Sequence, residues 1–162
     1  MLRRLIFMRH AEAQMPQYGK IDKDRAITMD GMHQLEILRL KLQGKLAGVD
    51  YVVCSNAKRT RQTLEGIRAL LPANAEIVFN DRLYQGEQKT IWDLIGGVNH
   101  KYQGIMVIAH NPGVSQVVQW VADVNGRSIR HLPTSGVAIC STKSTWNELS
   151  APKLSLDEFI AP

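Results

Sequence analysis

Four short apolar runs recur along the chain, "RLIFM" at 4–8, "DYVVCS" at 50–55, "AEIVF" at 75–79 and "GIMVIAH" at 104–110. None alternates cleanly with polar residues. Unbroken apolar runs of this length are what strands buried on both faces look like. Between them the apolar positions take up a helical period. Leu35, Leu38, Leu42 and Leu46 recur at three- and four-residue spacing with charged and amide side chains between them, which predicts a helix over Met29–Leu46 with Thr28 as its N-cap. The same pattern predicts helices over Arg59–Leu71, stopped by Pro72, over Glu87–Val98, and over Pro112–Ala122 with proline in the first turn. "GVAICST" at 136–142 reads as a further strand, and an edge strand is expected around Trp146–Leu149.

Strands alternating with amphipathic helices imply an α/β fold, a three-layer α/β/α sandwich around a mostly parallel central sheet. A chain of 162 residues has material for one good core, so one domain over residues 1–162 is expected. In such sheets ligands bind outside the carboxyl ends of the strands. What stands at those ends is Arg9-His10 after the first strand, Ser55 and then Arg59 after the second, and His110-Asn111-Pro112 after the fourth. If those strands are parallel, two histidines and two arginines converge on one edge.

Composition narrows the choice of ligand. The chain is 44% apolar and 22% charged without a low-complexity tract, which is globular. Its net charge of +5 favours anionic ligands. The densest basic run, "KRTR" at 58–61, is interleaved with threonine and leads into an amphipathic helix, so a nucleic-acid partner is not expected. The first apolar run is far shorter than a signal-peptide core or a membrane span, so a cytoplasmic protein without a membrane partner is expected. Cys54 and Cys140 lie inside apolar runs and read as buried reduced thiols.

Paired histidines can ligate a metal, but here Arg9 and Arg59 would stand beside the cation, and no acidic residue accompanies either histidine at a spacing such as HExxH. No metal and no cofactor is expected. Arginine suits a phosphoryl group, because its planar guanidinium gives bidentate hydrogen bonds and keeps its charge. Surrounding cations disfavour protonation of an imidazole, so His10 can keep a nucleophilic lone pair near neutral pH. The reading is phosphoryl transfer: His10 attacks phosphorus, Arg9, Arg59 and His110 stabilise the oxygens, and water hydrolyses the resulting phosphohistidine. Ser55, Asn111 and Tyr84 are further candidates near the site.

These residues resemble a known family. "FMRHAEA" at 7–13 is similar to the RHG signature of the histidine phosphatase superfamily, with Ala11 in place of glycine. "DRAITMDG" at 24–31 resembles the family's D-x-x-R-x-L-T-x-x-G stretch, with the spacing of Asp and Arg altered. "CSNAKRTRQT" at 54–63 resembles the S-x-x-x-R-x-x-x-T segment that carries the second arginine, Arg59; "VIAHNPG" at 107–113 the segment of the second histidine, His110; and "PTSGVA" at 133–138 the last loop and strand. The order is that of the short SixA-type phosphohistidine phosphatases. The resemblance implies a phosphoglycerate mutase-like fold, His10 as the phosphorylated nucleophile, and Arg9, Arg59 and His110 as the phosphate pocket.

The family's larger phosphatases and mutases carry a glutamate after the third strand that protonates the leaving oxygen. Here "NDRLYQGEQ" puts Tyr84 at that place, with Asp81 and Glu87 nearby as substitutes. An alkoxide needs a proton in order to leave, whereas a phosphohistidine protonated on its distal ring nitrogen expels neutral imidazole. The expected substrate is therefore a phosphohistidine on a partner protein, such as a histidine phosphotransfer domain or similar carrier, or a small phosphoramidate. A broad small-molecule phosphomonoesterase and a low-turnover phosphate-binding module are the alternatives. Lys20, Lys23, Arg25, Lys58 and Arg61 flank the pocket, as a rim for an acidic partner or as solvated charges. His131 precedes the "PTSG" loop and is a further residue near the pocket. His33 and His100 have no motif around them, and Trp92, Trp120 and Trp146 read as packing residues.

Overall fold

A computed structural model describes all 162 residues. A six-stranded sheet is built from β1 (Arg3–Arg9), β2 (Tyr51–Ser55), β3 (Glu76–Asn80), β4 (Gly104–Ala109), β5 (Val137–Thr142) and β6 (Ser155–Ile160), in the order β3-β2-β4-β1-β5-β6. The four strands β3, β2, β4 and β1 run parallel, and β5 and β6 add two antiparallel pairings. Four helices cover the faces: α1 (Met29–Leu42), α2 (Lys58–Ile67), α3 (Gln88–Gly96) and α4 (Gly113–Val124).

The apolar runs explain the three layers, because successive side chains of a strand point to opposite faces. Leu5, Phe7, Val53, Ile105 and Val107 join the α3 and α4 residues Ile91, Ile95, Val114, Val117 and Val121 in one core. Ile6, Met8, Val52, Cys54, Met106 and Ile108 join Leu35, Leu38 and Leu42 of α1 and Leu64 and Ile67 of α2 in the other. Both faces of each central strand are thus buried, which is why no polar alternation is visible in them.

Element ends show where local signals sufficed. Thr28 caps α1, its Oγ1 accepting the Gly31 N–H at 2.9 Å. The helix stops at Leu42, four residues short of the expected Leu46, because Gly44 takes a left-handed turn with φ of 79°. Leu46 still reaches the core from that turn.

The expected edge strand at Trp146–Leu149 is a correction. Residues Trp146–Glu148 form a short 3-10 turn, and the edge strand on this side of the sheet is β6, which begins at Ser155. Trp146 leaves the sheet plane because its large ring buries in the core, with its indole N–H donating to the Tyr102 carbonyl at 2.9 Å. The polar residues Ser155, Asp157 and Glu158 hid β6, as suits an edge strand with one exposed side. The other tryptophans pack as expected: Trp92 stands edge-on to both Phe7 and Trp120, at ring separations of 6.2 Å and 6.1 Å.

Candidate active site

β1 and β4 lie side by side in parallel with Arg9 opposite Ala109, so the residues that follow, His10 and His110, leave the sheet at the same level. Their rings stand 5.2 Å apart. On the other flank of β4, the last residue of β2 reaches the same level, and Ser55 Oγ lies 2.6 Å from His110 Nε2. α2 begins three residues after Ser55 and turns Arg59 back toward this edge. A cavity of about 300 Å³ opens here, with Arg9, His10, Arg59, His110 and Asn111 in its wall. Convergence of the four residues is therefore a consequence of strand order. Arg59 at 5%, His10 at 8% and His110 at 6% exposure are buried polar groups, unusual unless a ligand or partner satisfies them.

Backbone bonds hold His10 rigidly. Its N–H donates to the Ala109 carbonyl at 3.2 Å, and its carbonyl accepts the Ser135 N–H at 3.0 Å. Ser135, in the "PTSG" loop, adopts a positive φ of 59°, a conformation uncommon for a residue with a side chain. The next residue is tied to α2: the Ala11 N–H donates to Thr63 Oγ1 at 2.9 Å, and that hydroxyl donates to the Arg59 carbonyl at 2.7 Å.

The imidazole of His10 has a defined tautomer. Its Nδ1 lies 2.7 Å from the Ala11 carbonyl, which can only accept, so Nδ1 carries the hydrogen and Nε2 carries the lone pair. Burial, followed by the charges of Arg59 and Arg9, lowers its pKa to about 4 against the opposing pull of the Ala11 carbonyl. Burial and the neighbouring His10 and Arg59 lower that of His110 to about 3. Both rings are neutral at neutral pH. Three buried nitrogens on residues that line the cavity have no hydrogen-bond partner within the chain: Arg9 Nε, Arg59 Nε and His110 Nδ1. Unpaired donors on two fixed cations fit an anion. Nowhere does the chain gather three or more His, Cys, Asp or Glu side chains into a set that could hold a metal ion.

The remaining candidates divide. Tyr84 stands at the rim with its ring edge-on to His110 at 5.6 Å, held there because Gly113 lets the preceding loop come close; a Cβ at Gly113 would meet the Gly86 carbonyl oxygen at 2.3 Å. Asn111 lies in the wall, its amide donating to the Leu132 carbonyl at 3.4 Å. His131 reaches the site, its Nε2 3.4 Å from the Arg9 guanidinium, which also donates to the Leu132 carbonyl. Asp81 and Glu87 are not in the cavity wall; Asp81 pairs with Lys23 at 2.6 Å. His33 is an exposed helix residue beside Glu36.

Of the basic rim, Lys23 pairs with Asp81 and Arg25 with Asp22, while Arg61 bonds Asn56 and covers the Phe79 ring. Much of that charge is already satisfied within the chain. Both cysteines are buried and reduced, with thiol pKa values pushed up to about 12 by burial.

Two carboxylates near the cavity were not anticipated. Glu12 lies in its wall. Asp22 accepts from Arg59 through its backbone carbonyl at 3.1 Å and its Oδ2 at 3.3 Å, from Arg25 Nε through Oδ1 at 2.8 Å, and from the Tyr84 hydroxyl. The signal for Asp22 was present: counted from Asp22, "DKDRAITMDG" keeps three residues from Asp to Arg25 unaltered, whereas the reading from Asp24 made the spacing irregular.

A mixed sheet sandwiched by helices, with a histidine and arginine pair after β1 meeting a second pair from α2 and β4, defines a phosphoryl-handling α/β protein. The chain belongs to the histidine phosphatase superfamily, branch 1, whose family model matches residues 5–85. An uncharacterised protein of Mycobacterium tuberculosis is 29% identical over 162 residues, spanning 96% of this chain and 99% of its own. A solved structure assigned as the phosphohistidine phosphatase SixA of Nakamurella multipartitia superposes with a TM-score of 0.84 at 27% identity, covering 100% of this chain and 97% of that one. The protein histidine phosphatase SixA complexed with tungstate shares the fold, with a TM-score of 0.77 at 19% identity, covering 98% of this chain and 96% of that one. Family and neighbours together support a phosphatase. No helix is long and apolar enough to cross a membrane.

Proposed function

We propose that the protein is a phosphohistidine phosphatase that works without a metal through a covalent phosphoryl group on His10. The observation that carries this reading is the hydrogen bond from His10 Nδ1–H to the Ala11 carbonyl, which leaves the Nε2 lone pair free on a ring that stays neutral at neutral pH. The lone pair attacks phosphorus, and the bond to the leaving group breaks with its electron pair departing on that group. Arg9 and Arg59 offer fixed positive charge to the phosphoryl oxygens. His110, fixed by the 2.6 Å bond between its Nε2 and Ser55 Oγ, stands beside His10 as a further polar group for the phosphoryl oxygens. Water then hydrolyses the phosphohistidine. The name of the Nakamurella neighbour supports a nitrogen-bound phosphoryl substrate, and the exposed Met15 at the cavity mouth suits contact with a folded phosphoprotein.

The test is phosphate release from a phosphorylated histidine phosphotransfer domain in the presence of a chelator, with an alkaline quench to trap labelled enzyme. Acid-labile, base-stable label on the wild type and none on His10→Ala is the expected result. Release that stops with chelator, or persists in His10→Ala, overturns the mechanism; a site that binds phosphate without ever trapping label favours a binding module.

Glu12 favours a second reading, a small-molecule phosphomonoesterase, because it puts a carboxyl group in the cavity wall where a leaving oxygen could receive a proton. Rates on alkyl phosphates equal to those on aryl phosphates would support it, and a strong preference for aryl leaving groups would count against it.

A further inference from the structure

Asp22 presents a carboxylate at the cavity rim that the reaction as described above does not use. Each carboxylate oxygen has two acceptor positions. On Oδ2 both are taken, by Arg59 and by the Tyr84 hydroxyl; on Oδ1 only one is taken, by Arg25 Nε at 2.8 Å. One acceptor position therefore remains, on a side chain that is 46% exposed. A chain of contacts links the nucleophile to this carboxylate: the His10 and His110 rings are 5.2 Å apart, the His110 and Tyr84 rings are 5.6 Å apart, and the Tyr84 hydroxyl donates to Asp22. An in-line displacement sends the leaving group away from the attacking nitrogen, and a departing ring that turns toward Tyr84 meets Asp22 there.

We propose that Asp22 is a specificity-determining residue for nitrogen-bound phosphoryl groups, its Oδ1 accepting the distal ring N–H of the departing imidazole. The inference rests on the phosphohistidine phosphatase reading. As the new bond from His10 Nε2 to phosphorus forms, the old phosphorus–nitrogen bond breaks and its electron pair returns to the substrate's ring nitrogen. The distal nitrogen keeps its proton, so neutral imidazole leaves and no proton transfer is required. A carboxylate at that N–H stabilises the protonated ring before cleavage and offers nothing to an alkoxide.

The groups that face Asp22 keep it ionised: Arg59 from α2, Arg25 from its own loop, the Tyr84 hydroxyl after β3, and neutral His110 behind the tyrosine. The Tyr84 hydrogen bond, then the Arg25 hydrogen bond and the charges of Arg59 and Arg25, hold its pKa below the ordinary aspartate value against the opposing effect of burial. Asp22 is thus an acceptor throughout the working range and not a proton donor.

The test compares Asp22→Asn with wild type on phosphoimidazole and on 4-nitrophenyl phosphate. Asp22 also bonds Arg59, so both substrates lose rate; the expected result is an additional loss of about tenfold on phosphoimidazole alone, the size of a hydrogen bond to a charged group. A second readout is the alkaline limb of kcat on phosphoimidazole, where loss of the ring proton in the bound substrate makes a poor leaving group. Removing the carboxylate should move that limb about one pH unit lower. Asp22→Glu, which keeps the charge, should restore part of the preference.

Equal losses on both substrates with an unmoved limb would overturn the proposal and leave Asp22 as a support for Arg59. A wild type that hydrolyses the aryl phosphate and spares phosphoimidazole would instead refute the reading beneath it.

Discussion

Replacing His10 with glutamine should weaken the dependence of folding stability on pH, and the size of the effect follows from how the two histidines are buried. In the folded protein the pKa of His10 is lowered from 6.5 to about 4 and that of His110 from 6.5 to about 3, burial being the main cause in each. Between these values and 6.5 the unfolded chain binds protons that the folded chain refuses, so protons favour unfolding. The stabilisation is complete above pH 6.5 and is lost as pH falls through that window. Each histidine costs about 1.4 kcal/mol per pH unit below its unfolded value. From pH 7 to pH 5 that is about 2 kcal/mol per ring and about 4 kcal/mol for the pair, a large part of the ~5–15 kcal/mol that holds a typical domain folded. Most carboxylates titrate below this range, which isolates the histidines. Urea denaturation at pH 7 and pH 5 in phosphate-free buffer measures the difference directly. His10→Gln should lose about 2 kcal/mol between the two conditions where wild type loses about 4. Parallel losses in the two proteins would refute the claim that the site is built from imidazoles buried in the neutral form.

Three further outcomes are expected. Ser55→Ala removes the 2.6 Å bond that orients His110, and kcat should fall about tenfold with little change in KM, measured on an aryl phosphate. Thr63→Val leaves the buried Ala11 N–H and the Arg59 carbonyl without the hydroxyl that joins them, so denaturant melts should show a loss of about 1–3 kcal/mol. Cys54 and Cys140, buried and with thiol pKa values of about 12, should resist an aromatic disulfide reagent in the native protein and both react on unfolding; fast native labelling of either would contradict their burial.

The order of the four parallel strands could not be read from their patterns, because every central strand has the same apolar character on both faces. Adjacency of β1 and β4, which puts His10 beside His110, is a property of the sheet. β6 escaped the pattern because half its residues are polar, and Trp146 imitated a strand because an isolated aromatic between polar residues has the look of alternation. Among the site residues, Arg9, His10, Arg59 and His110 were legible as strand-end and helix-start chemistry that a core has no use for. Glu12 was not, since a lone carboxylate in a loop carries no sign of what it will face, and Asp22 showed only its regular spacing to Arg25, not that it would meet Arg59.

What the sequence determined by itself is most of the elements, the two-faced burial of the central strands and the four polar residues that line the cavity, because those depend on local periodicity and on residue types that are costly to bury without a purpose. The tertiary structure alone decided the tautomer of His10, the neutrality of both histidines, the partial self-pairing of the basic rim and the place of Asp22. Each of these is set by partners distant in the chain: the burial that holds both rings neutral is made by strands and helices from across the sequence, and the carboxylate of residue 22 meets the guanidinium of residue 59 only through the packing of α2 against that loop. Hydrogen bonds and desolvation act over a few ångströms in space, and sequence separation carries no measure of that distance.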